Sequence, residues 1–150
     1  MILYHGSSIA IEAPEIRAGI YSKDFGQGFY CTELQKQAER WAKRFNNPIV
    51  SKYCYTQKCG INVLSFGNMT DDWLDFIVEC RRGVAHSYDI VNGAMANDQI
   101  WNYIADYVSG VLTREQFWVL AKFKYPTQQI AFCSNTAISC LKYIDHYEVE

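Results

Sequence analysis

Three short stretches of this chain put ligand-binding residue types where a strand would end: Tyr4-His5-Gly6-Ser7, Gly26-Gln27-Gly28-Phe29-Tyr30-Cys31-Thr32 and Thr127-Gln128-Gln129-Ile130-Ala131-Phe132. A histidine in such a place can hydrogen-bond a ligand hydroxyl near neutral pH. The glycine after it, lacking a side chain, lets a backbone N–H and C=O approach a ligand as a donor and acceptor pair. Tyr30 offers an aromatic face to a flat or cationic group. Gln128 and Gln129 can hydrogen-bond, but neither can act as a carboxylate base. Plainer readings compete: His5 as an ordinary strand-end histidine, Tyr30 as one half-buried aromatic among eleven tyrosines, Gln129 as an exposed strand glutamine. The glycines flanking Tyr30 favour the ligand-binding reading.

Other polar groupings carry less. Gly26-Gln27-Gly28 lacks the third glycine and the lysine of a phosphate-cradling loop. Lys23-Asp24-Phe25-Gly26 contains the letters of a kinase motif without the catalytic loop or the length of a kinase. The Asp89, Asn92, Gly93, Asn97 and Asp98 cluster could line a site, although a helix start capped by Asn97 or Asp98 explains it more simply. His86 and His146 have no partners at metal spacing and read as surface residues, and no metal site is expected. Six cysteines, at 31, 54, 59, 80, 133 and 140, form no CxxC pair and read as mostly buried free thiols.

The elements that must position these residues follow from periodicity. ILYHG at 2–6 alternates as a strand ending at Gly6-Ser7-Ser8. A long loop to Gly28 has room for one short strand near Ile16. GFYCT at 28–32 reads as a strand, and Thr32-Glu33-Leu34-Gln35 as a capping box opening a helix. Leu34, Ala38, Trp41, Ala42 and Phe45 share that helix's apolar face. Strand-like runs at 49–56 and 61–66 suggest a hairpin. Helices are expected at 71–82, 98–109 and 113–123, the last opened by the capping box Thr113-Arg114-Glu115-Gln116. A strand or loop is expected at 88–93. The end of the chain reads as Pro126, a strand at 128–134, a short helix ending near Tyr143 and a strand at 144–149. The Trp41/Phe45 and Trp73/Phe76 pairs read as core.

At 150 residues, 49% hydrophobic and 20% charged, the chain fits one ordered domain over 1–150 that needs no disulfide or metal. A net charge of −2 offers no basic field for a stable grip on a nucleic-acid backbone, though not against a transient nucleic-acid substrate. No signal peptide or apolar span is visible, so a cytoplasmic protein without a membrane partner is expected.

LYHGSS, DFGQGFYCT and QAERWA resemble the ADP-ribosyltransferases, in particular the branch shared by diphtheria-type toxins and the poly-ADP-ribose polymerases. A group of small bacterial domains carries the same string. In that branch a His-Gly-Ser/Thr ending the first strand, a Gly-x-Gly-x-Tyr segment opening a helix and a third-strand Glu or substitute make the NAD site. The three elements span positions 3 to 132, nearly the whole chain. The resemblance implies an α+β fold with a split β-sheet core and flanking helices, and NAD as the substrate. It implies that His5, Tyr30 and Gln129 form the catalytic set, with Gln128 as the alternative third member. His5 would bond a ribose hydroxyl, the Gly6 backbone would take the nicotinamide carboxamide, and Tyr30, with Tyr21, would stack on the nicotinamide. Ser7 would help hold the adenosine side, and Gly28, Phe29 and Thr32 complete the implied binding set.

The nicotinamide of NAD is already cationic, so its bond to ribose breaks without an acid, and the site must supply orientation and support for an oxocarbenium-like centre. The glutamines depart from the family's glutamate. Chain-building polymerisation is therefore the least expected activity. Transfer of a single ADP-ribose to a protein or nucleic-acid acceptor, with slow NAD hydrolysis beside it, is the leading expectation. A catalytically weak NAD-binding module acting through a protein partner is the alternative. By analogy alone, a small bacterial domain of this kind is often a toxin, which adds an antitoxin protein to the candidate partners.

Overall fold

The alternation in the opening residues builds β1 (Ile2–Ser7). The computed structural model describes residues 1–17, 19, 23–121 and 127–150. Along the chain follow β2 (Phe29–Cys31), α1 (Gln35–Ala42), β3 (Ile49–Tyr55), β4 (Val63–Ser65), α2 (Asp71–Arg81), β5 (Ile90–Gly93), α3 (Asp98–Val108), α4 (Arg114–Ala121), β6 (Gln129–Phe132), α5 (Asn135–Ile138) and β7 (Leu141–Glu148). The described residues form an α+β arrangement of two sheets and five helices. Among them, no helix is long and apolar enough to cross a membrane.

One sheet has the order β1-β3-β7 and is antiparallel throughout; the other has the order β2-β6-β5-β4, with only the β4–β5 pair parallel. Among the described residues, one backbone bridge links the two sheets. There the Tyr4 N–H donates to the Thr32 carbonyl at 2.8 Å and the Thr32 N–H returns to the Tyr4 carbonyl at 2.9 Å. Between the sheets lies an apolar cluster that includes Leu3, Phe29, Tyr53, Ile130 and Phe132. On the far side of the four-stranded sheet, α2, α3 and α4 bury Trp73, Leu74, Ile77, Ile100, Ile104 and Phe117 against Val91, Ala131 and Phe25. Each such side chain contributes roughly 1.5–3 kcal/mol of hydrophobic stabilisation, so this second core holds the helices firmly on the sheet. The small residues Ala38 and Ala42 of α1 pack on Val50.

Several sequence expectations change. The runs at 49–56 and 61–66 are not a hairpin: β3 is the centre of one sheet, while β4 crosses to the edge of the other and pairs parallel with β5. Register matching gives β3 two partners at once, β1 and β7, which leaves it no free edge for β4. The short helix near the end stops at Ile138, because residues 141–148 extend along β3 as β7. Among the described residues near Ile16, 14–17, no strand forms.

The expected capping box at Thr32 does not form. The Thr32 backbone is held by the bridge to Tyr4, its hydroxyl accepts from the Leu34 N–H, and α1 begins two residues later with Leu34 as an uncapped start. The second box forms reciprocally, with the Thr113 N–H donating to Gln116 Oε1 at 2.9 Å and the Gln116 N–H to Thr113 Oγ1 at 3.2 Å. Residues 122 and 123 of the expected 113–123 helix, and Pro126, lie outside the described residues.

Candidate functional site

The three strand ends meet. A cleft of about 570 Å³ opens beside the bridge between the sheets, and His5, Gly6, Tyr30, Thr32 and Gln129 all line it. Helix α1 and the turn after it supply one wall, through Gln37, Ala38 and Trp41 of the helix and Arg44 of the turn; Arg81 of α2 and the 95–101 segment entering α3 supply the opposite wall.

Backbone geometry decides what Gly6 offers. Tyr4 turns its N–H and C=O away from β3 toward Thr32, and the two-residue period of an antiparallel strand turns those of Gly6 the same way. The next rung would join Gly6 to Tyr30, but β1 and β2 diverge after the bridge. The Tyr30 carbonyl is taken instead by His5 Nδ1 at 2.6 Å. The Gly6 amide and carbonyl are therefore left on the cleft side without a partner among the described residues. The missing side chain has its own cause: a Cβ at Gly6 would collide with the Ala38 carbonyl and lie 2.8 Å from the Ala42 amide. Gly6 thus admits α1 against β1 as well as leaving its backbone open to the cleft.

The carbonyl of Tyr30 can only accept, so His5 carries its proton on Nδ1 and leaves Nε2 bare. Burial lowers the His5 pKa below 6.5; the bond to Tyr30 opposes that shift and the Lys23 charge adds to it. The ring stacks on Phe29 at 4.3 Å between centroids. The result is a neutral, oriented imidazole whose free nitrogen is a hydrogen-bond acceptor.

Tyr30 is locked by its hydroxyl, which donates to the Gly26 carbonyl at 2.5 Å and accepts from the Phe25 N–H at 3.1 Å. Burial raises its pKa far above that of an ordinary tyrosine, so it stays protonated. The Lys23 ammonium lies over its ring, 4.9 Å from the centroid, so this face already holds a cation. Gly26 turns the tether with a φ of +82°, a conformation that favours glycine.

Gln129 is buried and lines the cleft, where its Nε2 donates to Asp24 Oδ2 at 3.3 Å. Gln128 points elsewhere, as the alternation of β6 requires: its amide donates to Asn92 Oδ1 and accepts from the Glu33 N–H and the Thr32 hydroxyl. Of the two glutamines left open by the sequence, Gln129 is the one in the cleft.

Three other expected binding residues lie off the cleft. The Ser7 hydroxyl donates to the Ile9 carbonyl at 2.6 Å, and Phe29 is buried under His5 and against Tyr53. Gly28 is explained by packing, because a Cβ there would lie 2.8 Å from the Phe132 carbonyl. Tyr21 lies outside the described residues. His86, read as a surface residue, is half-buried and bonds the Phe25 carbonyl at 2.8 Å. Trp41, read as core, is partly exposed on the cleft wall with the Arg44 guanidinium 4.3 Å above its ring. Among the described residues, no group of three or more His, Cys, Asp or Glu could hold a metal.

The sequence reading missed Asp24 and Arg81. Asp24 is only 5% exposed and pairs with Arg81, whose Nε reaches Oδ1 at 2.9 Å and whose guanidinium lies 3.9 Å over Trp101. Asp24 was visible only inside the Lys23-Asp24-Phe25-Gly26 string, and Arg81 as a common last-turn helix cation. Neither carries a local signal of the tertiary pair they form.

A family model described as "Protein of unknown function (DUF3990)" matches residues 1–143, and the chain belongs to this family. No curated protein and no solved structure matches it.

Proposed function

We propose that this DUF3990 family member is an ADP-ribosyltransferase that binds NAD in the cleft and transfers one ADP-ribose to a macromolecular acceptor. The observation that carries this reading is the open Gly6 backbone pair flanked by the neutral His5 ring and the face of Tyr30. The Gly6 N–H and C=O match the carbonyl and NH₂ of a carboxamide. The Tyr30 face, which in the ligand-free cleft holds the Lys23 ammonium, suits the cationic nicotinamide ring in its place once Lys23 swings off toward the diphosphate. The bare Nε2 of His5 can accept from a ribose hydroxyl, and the Lys23 and Arg44 cations at the cleft suit the diphosphate.

The chemistry needs no acid at the leaving group. As the bond between ribose C1′ and nicotinamide nitrogen breaks, its electron pair goes to the nicotinamide, which leaves neutral. The oxocarbenium-like ribose is attacked by the acceptor's nucleophile, whose proton passes to solvent, or by water in the hydrolytic side reaction. The cleft's contribution is orientation, from the clasp on the carboxamide, the stacked ring and the bonds to ribose hydroxyls.

Gln129 in place of a carboxylate favours a second reading, in which the domain binds NAD, turns it over weakly and acts through a protein partner. Incubation with NAD labelled in its adenylate and with cell lysate separates the two. Label on a macromolecule, lost in a His5→Ala and Tyr30→Ala double variant, supports the transferase. Saturable binding without label transfer supports the module, and absence of both binding and transfer contradicts both.

A further inference from the structure

Among the described residues, Asp24 makes hydrogen bonds only as an acceptor. Its Oδ1 takes Arg81 Nε and Nη2, and its Oδ2 takes the Ala96 N–H at 2.9 Å and Gln129 Nε2 at 3.3 Å. A carboxyl group surrounded by donors alone presents only acceptor oxygens to its neighbours. An amide facing it has one orientation available. Gln129 turns its nitrogen to Asp24, and its carbonyl oxygen, which has no partner among the described residues, is the atom left for the cleft.

We propose that Asp24, anchored by Arg81, is the positioning residue that fixes the Gln129 amide with its acceptor oxygen toward a hydroxyl of the bound ligand. That the ligand is NAD rests on the function proposed above. The arrangement gives the third strand an acceptor without adding a charge. It also makes a carboxylate at position 129 incompatible with Asp24: the two groups would meet where an N–H···O bond now runs, and one would have to keep a proton. The other charged or titratable groups lining this cleft among the described residues are Tyr4, His5, Lys23, Tyr30, Cys31 and Arg81, with Arg44 and Asp98 on its walls, and Cys80 lies close enough to Asp24 to feel its charge.

The test uses wild type, Gln129→Glu, Asp24→Asn and the double variant, melted between pH 5 and 8.5 with and without NAD. Beside Asp24 the introduced carboxyl has a folded pKa above its unfolded value. Its protonated form therefore fits at low pH, and that fit is lost as pH rises through the folded value. The melting temperature of Gln129→Glu should fall progressively below that of wild type as pH rises. The same substitution on the Asp24→Asn background should show no such widening. Where Asp24→Asn does not fold, Gln128→Glu on the opposite face of β6 serves as the comparison and should lack the step. On folded protein, Asp24→Asn should weaken NAD binding by about tenfold, the equivalent of one lost charge-assisted hydrogen bond. A gap that does not widen with pH, or that widens equally without Asp24, overturns the proposal, as does unchanged NAD affinity in folded Asp24→Asn. If NAD fails to raise the wild-type melting temperature, the NAD reading fails, while the ligand-free melts still decide whether Asp24 holds residue 129.

Discussion

Gln128 and Gln129 are neighbours in sequence with opposite surroundings, and their substitution should separate stability from function. Gln128 ties β6 to Asn92, Glu33 and Thr32 on the face away from the cleft. Gln128→Ala should cost about 1–2 kcal/mol of stability in a denaturant melt and leave NAD turnover intact. Gln129→Ala should reduce turnover on a folded protein. Lost turnover in Gln128→Ala with Gln129→Ala unaffected would contradict the β6 register. The alternation of Gln-Ile-Ala-Phe already pointed to Gln129, because a two-residue period is written into a strand's sequence. Asp24 and Arg81 were not legible, because their pairing joins positions 57 residues apart and depends on where the 23–26 turn meets the end of α2.

Among the elements, β1 and α1 are the pair whose contact builds the cleft wall. Gly6→Ala would push a methyl into the Ala38 carbonyl and the Ala42 amide, which are backbone atoms of a helix and cannot swing aside. The expected cost is about 1–3 kcal/mol or more, read as a lower denaturation midpoint, with NAD binding lost as α1 shifts. A variant as stable as wild type would contradict the close packing. Strand and helix existence was largely readable, since β1, β2, α2, α3, α4 and β6 lie where periodicity put them. Partnership was not. The 49–56 and 61–66 runs look like a hairpin locally, and only the competing register of β3 with β7 sends β4 to the other sheet. Trp41 and Phe45 follow helical spacing, yet each is 41% exposed because α1 meets β1 through its small residues, Ala38 and Ala42.

For the whole molecule, the buried His5 couples folding to pH. Its folded pKa lies below 6.5, so the stability it contributes is fully present above pH 6.5 and is lost as pH falls through the folded value. Melting temperature should therefore decline below pH 6.5, with a shallower decline in His5→Gln; parallel curves would contradict a buried neutral ring. The lowered carboxyl groups of Asp71 and Asp89 act below pH 3.8 and do not enter that window.

The thiols give a second global check. Cys31, Cys54, Cys59, Cys80, Cys133 and Cys140 are all free, and only Cys59 is exposed. Burial pushes Cys80 up to about 11 and Cys133 up to about 12. A thiol reagent at pH 8 should modify Cys59 first in the native protein and six groups after denaturation without reductant. Fewer than six would reveal a disulfide.

The most direct measurement is calorimetric titration of NAD into the wild-type protein and into the His5→Ala and Tyr30→Ala double variant, with folding of both confirmed by melting. The expected result is saturable one-site binding to wild type, weakened by about 1–3 kcal/mol for each removed group in the double variant. Wild-type protein that binds no NAD, or a folded double variant that binds it equally well, would contradict the assignment of the cleft.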